Sequence, residues 1–377
     1  MLKNFNNNTK NYWKEIDKTI FVSFLLLFIL GIFFSFASTS SLAGERLNKD
    51  YYFFFSKHLI FSIFSIFLMI LISWFKLNFL KKILIPIFLI LLIALFLVLF
   101  FGVEVKGSKR WLNLFFFRFQ PIEFLKPFFI VIIAKILSKE TLITTNSSYF
   151  FSFLCLITPC IILLNQPDVG QTILLVLSWT AIVFVSGIKL TYIFILFGIA
   201  LSSIASLLFF LPNKFSYVYK RVEIFFDPTK GERFQSTKAL DAIKEGGLTG
   251  QGMGEGTLKY NVPEAHTDYI ISVIAEEFGS IISIFLVCIF LYIVFRVIKF
   301  ALKEDDKFIK ISLCGLSSLL IFQTFIHIGV NTSLLPTTGM TLPFLSYGGS
   351  SMFGSAMLAG MIINLTKKKI NNENFEI

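Results

Sequence analysis

The chain has 377 residues, 55% of them hydrophobic and 49 of them Phe, with a formal net charge of +11. So large an apolar share excludes an ordinary water-soluble domain of this length. The apolar residues fall in runs of about 18–22, the length a helix needs to cross a ~30 Å hydrocarbon core, rather than in the ~10-residue alternating segments of a β-barrel.

Backbone polar groups cannot stay unpaired in lipid, so each run is expected to be a helix. In chain order, a polar Asn- and Lys-rich tail, 1–18, reads as mobile and precedes a first run too long for a signal peptide. Spans are expected near 19–38, 57–75, 83–102, 122–138, 148–164, 168–187, 190–211, 269–298, 309–331 and 350–366. The fourth is the weakest, because it opens with Glu123 and Lys126 and carries Pro127. The expected fold is therefore an all-α polytopic membrane protein of about ten transmembrane helices. It divides into a tail, 1–18, a membrane domain, 19–366, and a second tail, 367–377. Cys155, Cys160, Cys288 and Cys314 lie inside apolar runs without a CxxC, which predicts small core residues and neither a disulfide framework nor a metal site.

Orientation follows from Lys and Arg. Both tails, the linker 296–310 and the turns holding Lys76, Lys81, Lys82, Lys135, Lys139 and Lys189 fall on one side. The short loops opposite hold only Arg46, Lys49, Lys106, Lys109, Arg110 and Arg118, and loop 332–349 holds none. Cytoplasmic loops are the Lys- and Arg-rich ones, which puts both tails in the cytoplasm and explains the net charge without nucleic acid. Residues 212–268 then form a long outer loop, within which Ser236 to Glu245 is expected to make a short helix on the membrane surface.

Ionisable residues at membrane depth are costly, and four places hold candidates. The first is Lys106-Gly-Ser-Lys-Arg-Trp111 with Arg118-Phe-Gln-Pro-Ile-Glu-Phe-Leu-Lys126. Its cations beside Trp111 could hold an anionic lipid headgroup, or could be interfacial cations with a structural Glu123–Lys126 pair three residues apart. The second is Asn165-Gln-Pro-Asp168-Val-Gly170, where Asp168 suits a helix cap. The third runs from the glycines of 246–256 to Pro263-Glu-Ala-His266-Thr-Asp268-Tyr269, with Glu276 and Glu277 two turns further on. These glycines permit close backbone approach to a ligand, and they match neither a Walker loop nor a dinucleotide fingerprint. The fourth, 331–351, is too polar and broken for a span and too apolar for a free loop, which fits a re-entrant segment lining a cavity or a rigid outer turn.

Together these segments resemble the SEDS family (shape, elongation, division and sporulation proteins) over nearly the whole chain, from Asp17 to about Leu365. The most specific matches are Pro-Glu-Ala-His-Thr-Asp-Tyr at 263–269 and Leu-Pro-Phe-Leu-Ser-Tyr-Gly-Gly-Ser-Ser at 342–351. The wording of 263–268, of 334–343 and of Arg221-Val-Glu-Ile-Phe-Phe-Asp227-Pro resembles the FtsW branch, alphaproteobacterial in type, more than the RodA branch. His327 stands where the family usually has Asn, and Thr338 where the FtsW branch often has Lys.

The resemblance implies a peptidoglycan glycosyltransferase of the bacterial inner membrane, acting at the division septum on lipid II, a disaccharide-pentapeptide carried on undecaprenyl diphosphate. It implies a class B penicillin-binding protein, the septal transpeptidase, as partner beside other divisome membrane proteins. It implies no required cofactor and leaves a divalent cation beside the diphosphate open. Asp268 is expected to be the catalytic base, because a sugar hydroxyl is a poor nucleophile at neutral pH. Lys109, Arg110, Trp111, Arg118, Glu123, Lys126, Asp168, His266, Ser346 and Tyr347 are expected to bind substrate. A lipid II flippase and a RodA-type elongation polymerase are the alternative readings.

Overall fold

The computed structural model describes residues 12–47, 52–105, 108–114, 117–138, 145–192, 194–195, 198, 202, 221, 223–226, 234–262 and 264–367. The first three long helices are α1 (Lys18–Leu47), α2 (Phe53–Trp74) and α3 (Leu77–Phe101). A small antiparallel sheet follows, β1 (Val103–Val105), β2 (Ser108–Leu114) and β3 (Phe117–Phe119), in the order β1-β2-β3. Then come α4 (Pro121–Leu137), α5 (Thr145–Asn165), α6 (Val169–Val185), α7 (Phe234–Gly246), a 3₁₀ turn at Leu258–Asn261, α8 (Ile270–Lys303), α9 (Lys307–Asn331) and α10 (Gly349–Leu365). Among the described residues, α1, α2, α3, α5, α8 and α9 are long and apolar enough to cross a membrane, with α6 and α10 shorter and equally apolar. The chain is a multi-pass membrane protein. Most of the expected span 190–211 and much of the loop before Phe234, Asp227 included, lie outside the described residues, as do Pro263 and the tails 1–11 and 368–377.

The weak fourth span proves to be the central helix. At 17 residues α4 is about 25 Å long, and it packs against α3, α5, α6, α9 and α10. Almost every side chain on it is buried, Glu123 and Lys126 included. A helix surrounded by protein can carry charge provided its neighbours pair it, which is why Glu123 and Lys126 can lie within it. By contrast α3 turns Ile90, Ile93, Phe100 and Phe101 outward, as a lipid-facing helix does.

The tail boundary shifts inward. Tyr12 and Ile16 are buried, the Tyr12 hydroxyl bonds Ser73, and its ring lies 5.6 Å from that of Trp74. Residues 12–17 therefore belong to the packed domain. Arg296 pairs with Asp17 at 3.0 Å, and Asn364 donates to the carbonyls of Ile72, Ser73 and Phe75, which gathers the inner ends of α1, α2, α8 and α10. Cys288 is exposed rather than a core residue, while the other three cysteines are half-buried, and all four are free.

At the outer end, the segment between α9 and α10 folds back into the bundle. Phe344 is buried and packs its ring against Phe24 and Phe28, in the first half of α1. That is the re-entrant arrangement, with backbone at membrane depth enclosed by protein.

Candidate functional site

A cavity of about 900 Å³ opens at the outer end. Its walls come from the outer ends of α2, α4, α6, α9 and α10, from the sheet, from the turn before α8 and from residues 337–341. Of the predicted site residues, Arg110, Trp111, Arg118, Glu123, Asp268 and Tyr347 line it.

The sheet aims the cations. In the β1–β2 pair Val103 faces Trp111 and Glu104 faces Lys109, so Arg110 is the extra residue of a β-bulge. Bulges re-aim a side chain, and this one turns Arg110 onto the 166–168 turn. Arg110 Nε lies 3.5 Å from Asp168 Oδ2 and 3.4 Å from the Gln166 carbonyl, and Nη2 donates to the Pro167 carbonyl. Asp168 is buried and also accepts from Gln171 N at 3.4 Å, capping α6. It is both cap and counter-ion. Burial pushes its carboxyl above the ordinary carboxylate value, against the lowering effect of Arg110. Arg118 is exposed, faces Asn113 across the β2–β3 ladder, and lines the cavity with it.

Beneath the cations, Lys126 Nζ lies 2.9 Å from Glu123 Oε2 and 3.1 Å from Gln323 Oε1. Gln171 Nε2 donates to the other Glu123 oxygen at 2.7 Å. Lys126 does not itself line the cavity; it fixes Glu123, which does.

Asp268 lines the same cavity. The N-cap of α8 is Tyr269, with no side-chain cap bond, so Asp268 is not the cap of that helix. Its backbone carbonyl accepts from Asn331 at 3.0 Å, and its N–H donates to the Glu264 carbonyl at 3.1 Å. Glu264 itself is left-handed at φ 56, an uncommon conformation for Glu, and its carboxylate accepts from Thr267 at 3.0 Å. Gly339 faces Asp268: a Cβ there would stand 3.5 Å from Asp268 Oδ2 and 3.9 Å from Arg110 Nη1, and its φ is +72. A side chain at that position would enter the gap between the acid and the cation.

Other predicted residues stand behind the wall. Ser346 is buried, donates to the Thr267 carbonyl at 2.6 Å and accepts from Leu342 N at 2.8 Å, joining the re-entrant segment to the Asp268 turn. The His266 ring lies 4.9 Å from Phe54 and 5.7 Å from Tyr347, and its carbonyl accepts from Tyr347 N at 2.9 Å. His266 thus abuts Tyr347 without lining the cavity. Lys109 is exposed, lies opposite Glu104 in the hairpin and does not reach the cavity.

Two readings of the third segment need correction. Of the glycines of 246–256, Gly246, Gly250 and Gly256 serve close approach to α8. At Gly279, φ 82 and ψ 170, α8 breaks. The freed Glu276 and Glu277 carbonyls accept from Gln251 N and Gly252 N, while Ser280 N and Ile281 N donate to Gly247 and Leu248. The carboxylates are consumed as well: Glu276 accepts from Leu258 N and Lys259 N at 2.7 and 2.8 Å, and Glu277 pairs with buried Lys259. Neither Glu lines the cavity.

Lys57, Gln171, Arg221 and Gly339 line the cavity and were not singled out from the sequence, nor was Gln323 behind it. Gln171 and Gln323 had a readable signal, since amide side chains in apolar helices need partners. Arg221 donates to the Thr337 carbonyl at 3.2 Å. In the sequence it stood out only through the family wording around it.

Together, the helical bundle and an outer cavity lined by arginines and by Asp268 define a multi-pass membrane protein with a polar cavity at its outer end. Residues 17–371 match the FtsW/RodA/SpoVE family, described as cell cycle proteins, and the chain belongs to that family. It is 36% identical, over 95% of its length and 91% of the relative's, to the probable peptidoglycan glycosyltransferase FtsW of Caulobacter vibrioides. It is 31% identical, over 93% of its length and 97% of the relative's, to stage V sporulation protein E of Bacillus subtilis. Its fold is similar to a chain solved to describe structural coordination of polymerization and crosslinking by a peptidoglycan synthase complex, with TM-score 0.75, 23% identity and coverage of 93% and 97%. It is also similar in fold to the rod shape determining protein RodA of Thermus thermophilus, with TM-score 0.67, 23% identity and coverage of 93% and 96%.

Proposed function

We propose that the protein is a peptidoglycan glycosyltransferase of cell division, which polymerises lipid II into glycan strands at the outer face of the inner membrane, at the septum. The observation that carries this reading is Asp268 facing Arg110 across Gly339 in a polar cavity at the outer end. Arg110 and Arg118 are suited to hold the lipid diphosphate, since Arg binds phosphate oxygens bidentately. The Glu123–Lys126 pair and Asp168 hold that wall in place. Tyr347 flanks the sugars, with His266 and Ser346 supporting it.

In the reaction, the acceptor's sugar 4-hydroxyl attacks the donor's anomeric carbon. The carbon–oxygen bond to the diphosphate breaks as the glycosidic bond forms, and the hydroxyl proton passes to the Asp268 carboxylate. A positioned base contributes about 10²- to 10⁴-fold. The diphosphate leaves on its lipid with its charge neutralised by the cations, so no second carboxylic acid is required and the anomeric centre inverts. No cofactor is required for this chemistry, and a divalent cation could assist at the diphosphate. The proposed partners are a class B penicillin-binding protein, the septal transpeptidase, and other divisome membrane proteins. The domain is bounded by cytoplasmic tails.

A flippase needs a polar path through the whole bilayer. Every residue lining this cavity belongs to the outer ends of the helices or to the outer connections, which favours the transferase. The test is polymerisation of purified lipid II by the purified protein, alone and with its cognate transpeptidase. Asp268→Asn should insert and bind lipid II yet make no glycan. Near-normal polymerisation by that variant would sink the base assignment. Depletion in cells should block septation and give filaments; rounded, dividing cells would favour the elongation branch.

A further inference from the structure

The outer third of α9 carries Gln323, His327 and Asn331 at successive i, i+4 positions, hence on one face. All three are buried. Each donates to a different backbone carbonyl: Gln323 Nε2 to Thr341 at 3.1 Å, His327 Nδ1 to Met340 at 2.8 Å, and Asn331 Nδ2 to Asp268 at 3.0 Å. Gln323 also accepts from Lys126 at 3.1 Å. One helix face is thus tied at three heights to the Glu123–Lys126 side, to the 339–341 floor and to the Asp268 turn.

We propose that His327 is a positioning residue for glycosyl transfer. Through the Met340 carbonyl it fixes the height of Gly339, which lies directly beside the Asp268 carboxylate, a Cβ there standing 3.5 Å from Asp268 Oδ2. The inference rests on the proposed transferase reading and adds a residue that touches neither substrate nor the reacting atoms.

The chemistry of the bond makes a sharp demand. Met340 offers a carbonyl, so Nδ1 must carry the proton, and Nε2 has no hydrogen-bond partner among the described residues. What the site uses is a donor two bonds beyond Cβ. Asn places its amide nitrogen there. Gln places its own one bond further out, near the unused Nε2 position. In a packed helix crossing that error moves the carbonyl or abandons the bond, and displacements of about 1 Å near reacting groups cost on the order of 10²-fold in rate.

The test compares His327→Asn and His327→Gln in the purified full-length protein with purified lipid II. His327→Gln should lower kcat about 100-fold, with KM changed less than about threefold, because Arg110 and Arg118 are carried by the sheet and not by α9. His327→Asn should hold kcat within about threefold of the unaltered protein. A purely structural role would instead lower the unfolding temperature of both variants and leave the kcat of folded protein unchanged. The proposal is overturned if His327→Gln keeps its kcat, or if folded His327→Asn loses kcat as fully as His327→Gln. Should His327→Gln not insert, His327→Met, apolar and of similar length, makes the same comparison. Failure of the unaltered protein to polymerise lipid II would count against the transferase reading itself. Polymerisation with an indifferent His327→Gln would count against this inference alone.

Discussion

Two buried charge clusters stand at the outer end of this bundle, and one of them lines the cavity that holds Asp268 while the other does not. Lys259, Glu276 and Glu277 form the closed one: two backbone N–H groups and one ammonium take up the carboxylates, and the neighbouring backbone is stitched to α8 at the Gly279 break. Glu123, Lys126, Gln171 and Gln323, with Arg110 and Asp168 beside them, form the open one, whose members Arg110, Glu123 and Gln171 line the cavity shared with Asp268. Both clusters bear the desolvation cost of buried charge. Burial of charge therefore marks a place where the protein has invested in order, and the adjoining space decides whether that order can serve a substrate.

The largest expected effect separates pairing from binding in the open cluster. Lys126→Met strips Glu123 of its ammonium and should cost about 3–5 kcal/mol of stability together with lipid II binding. The double variant Glu123→Leu, Lys126→Met replaces the pair by apolar side chains and should recover much of the stability, as replaced buried pairs often do. It should not recover binding in a direct lipid II assay. Recovery of both would make this cluster as structural as the closed one.

In the closed cluster Lys259→Met leaves Glu277 without its ammonium. Denaturation in detergent should show a loss of about 3 kcal/mol or more, while kcat per folded molecule stays put. A selective fall in kcat would move the cluster into the catalytic machinery. Gly279→Ala forces a Cβ into the Leu248 carbonyl at a φ of +82. Its expected cost is about 1–3 kcal/mol, again without a kinetic signature. Smallest is Lys109→Ala: Lys109 is exposed on the hairpin and outside the cavity lining, so stability should shift by about 0.5 kcal/mol at most and lipid II binding should hold. Weakened binding would return Lys109 to the set of diphosphate contacts.

The spans were legible in the sequence because lipid imposes length and polarity on each helix separately. α4 was the least legible because protein, not lipid, surrounds it, and its Glu123 and Lys126 are paid for by Gln171 and Gln323, 48 and 197 residues away from their partners. The bulge that turns Arg110 was hidden in a polar stretch whose strands are only three to seven residues long. The Glu123–Lys126 pair was readable from its i, i+3 spacing. Gly246, Gly250 and Gly256 correctly signalled close backbone approach, but composition does not say what approaches, and for these three it is α8.

The most direct measurement places one variant from each cluster's neighbourhood in the same assay: single-turnover polymerisation of purified lipid II by Asp268→Asn and by Glu277→Gln, normalised to folded protein. Each changes one carboxylate to its amide at the outer end of α8. The expected result is that Asp268→Asn binds lipid II and forms no glycosidic bond, while folded Glu277→Gln polymerises at the rate of the unaltered protein. Glycan from Asp268→Asn at that rate, or its loss in folded Glu277→Gln, would contradict the assignment of the open cavity as the site of catalysis.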